Sequence, residues 1–412
     1  MSVREIVIKH SKFIDEITSL VRKRLTEKEA DIDKAKIHLM VEDIFFSKYN
    51  AEVIEIPEIK FIIESIYRRV NSKYGILNEL LQDVNVNEIM VNGPRRIFIE
   101  KAREIHEIDD AFTSEKEVED LIRMFSSDVH REVNEAKPIV DARLPQGYRV
   151  NGVLKNVALN GPILTIRKFS ENDIELEDLI RYGSITSECC DLLSSLVTSG
   201  YNIFISGGTS SGKTTFLNAL ASAIEKNERV IIIEDSSELK INHLNNKVHM
   251  ECRAANSIGK GEVTMEQLIR TSLRMRPDRI IVGEVRGREV VDMIQAMNTG
   301  HEGSMSTGHG NSIKGMLNRL ETMYLMDSQI SIYSVRNQIA NAIDIFVHLR
   351  RDSTGKREVV EVAELIGFNG EEYILNYLFI KEEKGKLVST GNSIFDKDRL
   401  ERCELKIGNR RK

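Results

Sequence analysis

The chain has 412 residues, 41% of them apolar and 30% charged, and at the usual ~150 residues per domain that predicts two to three domains with buried cores. A net charge of -6 gives no global pull toward nucleic acid, and no run approaches the ~18 apolar residues of a membrane span. The start has no signal-peptide core, because Arg4, Lys9, Lys12, Asp15 and Glu16 interrupt it, and the cysteines (Cys189, Cys190, Cys252 and Cys403) form no C-x-x-C pair, which excludes a structural zinc module and a secreted disulfide framework.

In chain order, residues 1–72 read as helices. Phe13, Ile14, Ile17, Leu20 and Val21 recur at helical spacing, as do Ile37, Met40, Val41, Ile44 and Phe45, and Pro57 opens a third helix. Residues 73–169 are mixed. Ile89, Val91, Ile97 and Ile99 alternate around Asn92-Gly93-Pro94, a hairpin pattern, and Ser114 with Glu117 forms a capping box for a helix over 115–125. Short strands are predicted at 148–153 and 163–166. Residues 170–177 are mostly polar and read as a linker. From 178 onward strands at 202–205, 230–233, 279–282 and 304–307 alternate with helices, the pattern of a parallel α/β sheet. The tail adds a hairpin around 352–355 and strands at 359–365 and 373–379.

Gly207-Gly208-Thr209-Ser210-Ser211-Gly212-Lys213-Thr214 matches G-x-x-x-x-G-K-[ST], with Thr215 next in the helix that follows. Glycines let several backbone N–H groups converge on one centre, and the helix N-terminus adds positive potential. Lys213 is expected at the β- and γ-phosphates of a nucleotide and the Thr214 hydroxyl at Mg²⁺. The guanine-selecting N-K-x-D motif is absent, so ATP is the expected nucleotide. Two carboxylates follow apolar strands, as at the carboxyl ends of a doubly wound sheet. One is Glu234, in Ile231-Ile232-Ile233-Glu234-Asp235. The other is Glu284, in Ile280-Ile281-Val282-Gly283-Glu284-Val285-Arg286, a Walker B position suited to metal or water. His301 and His309 stand in glycine-rich surroundings. The remaining histidines, His10, His38, His106, His130, His243, His249 and His348, read as structural or merely exposed.

Taken together, the P-loop, the acidic box, the Walker B box and the paired histidines resemble the secretion and pilus-assembly ATPase superfamily. The resemblance is nearest to its CpaF-type branch, which drives tight-adherence pili. Leu273 to Gly287, Ala296 to His309, Arg319-Leu320-Glu321-Thr322-Met323 and Arg336 to Asp344 carry it, with Met90 to Pro94, Asp141 to Pro145 and Leu164 to Lys168 upstream. It covers roughly residues 60–370; Gly310 stands where alanine is more usual. The absence of the tetracysteine module of many extension ATPases speaks for this branch.

The resemblance implies a RecA-like P-loop lobe preceded by a smaller α+β lobe and a helical segment, assembled as a homo-hexamer that hydrolyses ATP. Arg143, Arg149 and Arg167 would reach the phosphates from the same or the next subunit. Glu284 and Glu234 would share water activation and Mg²⁺ positioning, with Thr214 on the metal. His301 and His309 would sense the γ-phosphate or the subunit interface, and residues 170–177 would be the hinge. The expected place is the cytoplasm, on inner-membrane platform proteins, with no nucleic acid involved. A type IV secretion traffic ATPase is the alternative within the superfamily; a nucleic-acid motor and a non-hydrolysing regulator are the rivals outside it.

Overall fold

In the computed structural model of the chain, the described residues are 1–27, 33–51, 53–101, 104–129, 131–144, 146–168, 174–253, 255, 259–326, 330–382 and 385–401. His130, Pro145, Cys403 and residues 170–173 of the expected hinge lie outside them. The chain divides into two compact units, Met1–Glu171 and Asn172–Lys412.

The first unit opens with helices α1 (Val3–Lys9), α2 (Ser11–Thr26), α3 (Lys34–Lys48) and α4 (Ile56–Val70), which bury the predicted stripes Ile14, Ile17 and Val21 against Val41, Phe45, Ile62 and Ile66. Pro57 sits in the first turn of α4, where its missing N–H costs no helical bond. A short α5 (Asn78–Gln82) leads into an antiparallel sheet of β1 (Val86–Asn92), β2 (Ile97–Lys101), β3 (Glu104–Ile108), β4 (Ile139–Arg143), β5 (Arg149–Val153) and β6 (Ile163–Arg167), in the order β3-β2-β1-β6-β5-β4. Helix α6 (Glu115–Asp128) covers one face through Val118, Ile122 and Phe125.

The predicted capping box is only half made. Ser114 Oγ accepts from Glu117 N at 3.3 Å, but the Glu117 carboxylate turns to the Thr113 amide, 2.8 Å, and to Arg69 Nε, 2.9 Å. Arg69 is buried, and its Nη2 donates to Ala111 O at 2.7 Å. These contacts fasten the helices to the sheet, which is why both lie in one unit.

The second unit holds α7 (Leu176–Arg181), α8 (Ser187–Thr198), β7 (Ile203–Gly207), α9 (Lys213–Ala221), β8 (Arg229–Glu234), β9 (Asn246–Glu251), α10 (Met265–Ser272), β10 (Arg279–Val285), α11 (Glu289–Asn298), β11 (Met305–His309), α12 (Ile313–Leu325), α13 (Ile332–Ala342) and β12 (Ile345–Arg351). It closes with β13 (Arg357–Phe368), β14 (Tyr373–Lys381) and β15 (Leu387–Ser389). Leu176 and Glu177, read as the end of a linker, instead open α7.

All strands of this unit join one sheet, in the order β15-β14-β13-β12-β7-β11-β10-β8-β9. The run from β12 to β9 is parallel and β13 to β15 are antiparallel. Helices α7 to α9 pack on one face and α10 to α13 on the other. This is a doubly wound α/β lobe. With both faces covered, β7, β8 and β10 are apolar along their length rather than alternating. Parallel pairing also puts the carboxyl ends of β7, β8, β10 and β11 on one edge, which brings Gly207, Glu234, Glu284 and His309 to the same side.

Candidate nucleotide site

The loop between β7 and α9 has the backbone its sequence demands. Gly212, the residue before the helix, sits at φ +92°, where a side chain is strained, and Ser210 is left-handed at φ 58°. Ser211 Oγ is buried and has no hydrogen-bond partner among the described residues. Lys213 is buried, and its ammonium folds back on the loop, donating to Gly208 O at 3.1 Å and Gly207 O at 3.2 Å.

The third partner of Lys213 is His309 Nδ1, at 3.3 Å. An ammonium only donates, so this nitrogen accepts and the ring proton belongs on Nε2. Nε2 lies 2.7 Å from Glu284 Oε1. Glu284 Oε2 in turn accepts from Arg286 Nη2 at 2.7 Å and Nε at 3.1 Å, and Arg286 Nη1 lies 3.6 Å from Asp235. One imidazole thus stands between the P-loop lysine and the Walker B carboxylate, hydrogen-bonded to the first and at ion-pair distance from the second. Burial holds both Lys213 and His309 below their ordinary basicity, and the Lys213 charge adds to the effect on His309. His309 is therefore the neutral link between two charges.

A bulge aims Glu284. Val282 pairs with Ser306 and Val285 with Gly308, three steps on β10 against two on β11, so the Gly283-Glu284 stretch holds one extra residue. Thr307 Oγ1 donates to Gly283 O at 2.8 Å and clamps the bulge. Gly283 must lack a side chain, since a Cβ there would stand 2.8 Å from Glu234 Cγ.

Glu234 is placed differently. It is buried, and Oε1 accepts from the amides of Glu238, 2.9 Å, and Leu239, 3.2 Å, while Oε2 meets His249 Nε2 at 2.6 Å. Its acceptor sites are used to fold the 235–239 loop and hold β9. The geometry gives Glu234 a positioning role, and Glu284 alone of the two carboxylates faces Lys213.

The two histidines of the pair are not together. His309 ends β11 beside Gly207, whereas His301 precedes the strand and its Nδ1 meets Ala296 O at 3.2 Å, at the end of α11. The length of β11, roughly 15 Å, separates them. Within one subunit His301 therefore does not meet the P-loop, which corrects its expected role as a γ-phosphate sensor there; a place at a subunit interface is untouched by this.

In the first unit the register aligns the three expected arginines. Arg143 is opposite Arg149, and Arg149 is opposite Arg167. Directly opposed residues share a face. The buried neighbours Ala142, Val150 and Ile166 point to α6, so the arginine row lies on the other face, at one end of the sheet. Arg143 Nε also donates to Gly147 O at 3.2 Å.

Sequence reasoning passed over several groups at the site. Arg286 follows the last residue of β10 and turns back on Glu284, a contact that strand alternation does not mark. His249 and His348 read as ordinary histidines. Yet His249 anchors Glu234, and buried His348 joins Ser206 Oγ of β7 at 2.9 Å and also meets the backbone of Asn311. No local pattern marks either, since strand pairing brings the partners together. Beside the loop a cavity of about 400 Å³ opens between Gly208, Thr209, His309, Asn311 and, from α12, Gly315 and Arg319. The buried Ser211 hydroxyl, the glycine cradle and the Lys213 ammonium fit a phosphate chain.

Known proteins resemble this chain along most of its length. Residues 41–407 match the family model described as type II/IV secretion system protein. A putative conjugal transfer protein of Mycobacterium tuberculosis is 34% identical over 297 residues, 71% of this chain and 84% of that one. The type IV secretion system protein PtlH of Bordetella pertussis is 30% identical over 312 residues, 69% of this chain and 92% of the relative. Among solved structures, the pilus retraction motor PilT with bound ADP superposes with a TM-score of 0.52 at 18% identity, covering 82% of this chain and 89% of that one, a likeness of fold. No helix among the described residues is long and apolar enough to cross a membrane. A family match over most of the chain, together with these relatives, makes the protein a member of the type II/IV secretion system protein family.

Proposed function

We propose that this chain is an ATPase subunit that powers type IV secretion. The observation that carries the enzymatic part is the connection from Lys213 through His309 to Glu284 beside a P-loop cavity. The two relatives named for conjugal transfer and type IV secretion support this branch over the tight-adherence branch, which rests on the sequence motifs alone.

In this reading the loop amides of 208–214 hold the phosphates, and Lys213 leaves its own carbonyls to meet them. Thr214 would hold Mg²⁺ directly and Glu284 through a water, and the ion would supply neutralising charge. Glu284 takes a proton from the attacking water. The new bond joins that oxygen to the terminal phosphorus, the bond to the bridging oxygen breaks, and ADP and inorganic phosphate leave. His309, released by Lys213, reports on occupancy of the site. The row of Arg143, Arg149 and Arg167 is the proposed source of further positive charge, in the same or a neighbouring subunit of a homo-hexamer. The work is passed to membrane-embedded secretion components from the cytoplasmic side.

The test is phosphate release by the purified full chain with ATP and Mg²⁺. Wild type should turn over ATP and Lys213→Ala should not. Equal turnover by both would remove Lys213 from the site.

A further inference from the structure

Among the charged groups at the cavity, one has no role in the arrangement above. Lys213 lies on loop carbonyls and His309, Glu284 lies between His309 and Arg286, and Arg286 is shared by Glu284 and Asp235. Arg319 lines the same cavity, is exposed, and has no ion pair or hydrogen bond among the described residues. It is close enough that its positive charge lowers the basicity of both Lys213 and His309.

Its placement follows from local structure. β11 ends at His309, two residues turn the chain, and Ser312 caps α12 by accepting from Gly315 N at 3.0 Å. Gly315 and Arg319 are four residues apart and share a helical face, and both line the cavity. The guanidinium thus stands on the His309 side of the loop, in the same unit as Lys213, and no carboxylate among the described residues pairs with it. Keeping a free cation beside Lys213 opposes the resting state, and a bound polyanion reverses the sign of that interaction.

We propose that Arg319 is a catalytic residue acting in the same subunit: it contacts the terminal phosphoryl group of a nucleoside triphosphate and stabilises the charge that develops there during hydrolysis. This rests on the ATPase reading. It differs from the arginine row, because α12 belongs to the P-loop unit itself.

The experiment uses the full-length protein with Mg²⁺, fluorescent ADP and a fluorescent non-hydrolysable ATP analogue, on wild type, Arg319→Ala and Arg319→Lys. Arg319→Ala should weaken the triphosphate analogue by roughly ten- to hundredfold, the worth of one charge-assisted hydrogen bond, and leave ADP binding unchanged. Its kcat should fall by roughly 10²–10³, as when one preorganised donor to a developing charge is removed. Arg319→Lys should recover part of the affinity, since it keeps the charge without the planar fork. Equal weakening of ADP and the analogue, or weakening of neither, would overturn the assignment. Circular dichroism melts identical to wild type separate these results from misfolding. A wild-type protein that binds neither nucleotide would instead overturn the ATPase reading itself.

Discussion

The two sheets arrange positive charge differently. In the large parallel sheet each charge at the carboxyl edge has a partner: Lys213 on His309 and its loop, Glu284 on Arg286, and Glu234 on His249 and two amides. In the smaller antiparallel sheet the register sets Arg143, Arg149 and Arg167 side by side at one level. Like charges directly opposed weaken a strand pair, and Glu88, opposite Arg167 in the register, offsets part of that repulsion. The difference teaches how to read each group. A charge held by a partner within its own site belongs to a resting state that a ligand must rearrange, whereas a row of three cations raises the positive potential over one face of its sheet.

The largest test of that contrast is on the row. Arg149→Ala should lower kcat by roughly 10³–10⁵, the range for an arginine serving a phosphoryl transition state, with little change in the melting temperature. A lower melting temperature with normal kcat would make the row structural. Mixing this variant with Lys213→Ala decides its address: partial recovery of activity means that the arginine serves a neighbouring subunit, and no recovery means its own.

Within the parallel sheet the two carboxylates should separate cleanly. Glu284→Gln should bind ATP but lose roughly 10²–10⁴ in kcat, as for a general base. Loss of ATP binding instead would mark Glu284 as a direct metal ligand. Glu234→Gln should lower kcat far less and cost about 1–3 kcal/mol in urea unfolding, because a buried, hydrogen-bonded acceptor loses its charge. The opposite ranking would exchange their roles.

The smallest effect concerns the scaffold beneath the loop. Burial pushes His348 down to about 4, against an ordinary value of 6.5. With the folded value depressed, the unfolded chain binds the proton first, so this contribution is complete above about pH 6.5 and is lost as pH falls toward 4. Between pH 8 and pH 5 that is about 2 kcal/mol. Urea unfolding at the two pH values should show the loss in wild type and not in His348→Asn; an equal loss in both would place the acid sensitivity elsewhere.

Much of the molecule was legible from residue order alone, because the signals are local. The phosphate loop needs glycines, a lysine and a hydroxyl at set spacing, and its backbone follows from those residues. The helical stripes of α2 to α4 and the apolar runs of β7, β8 and β10 are likewise written in consecutive residues. Strands β3, β4, β9 and β15 were missed, since β3 and β9 in particular are rich in polar residues and gain their pairing from neighbours rather than from their own pattern.

What only the tertiary structure decided is which groups meet. Two histidines eight residues apart looked like a pair, yet an extended strand carries them to opposite edges of the sheet, and only His309 reaches Lys213. Two carboxylates looked interchangeable, yet one is consumed by the 235–239 loop and His249 while a bulge turns the other toward the phosphate loop. Arg319 opens a stretch that resembles the family, yet that pattern assigns it no role, and only the packing of α12 beside β11 puts its charge at the cavity. Spacing along a chain names the chemistry available; register, bulges and helix packing choose which of those groups share a site.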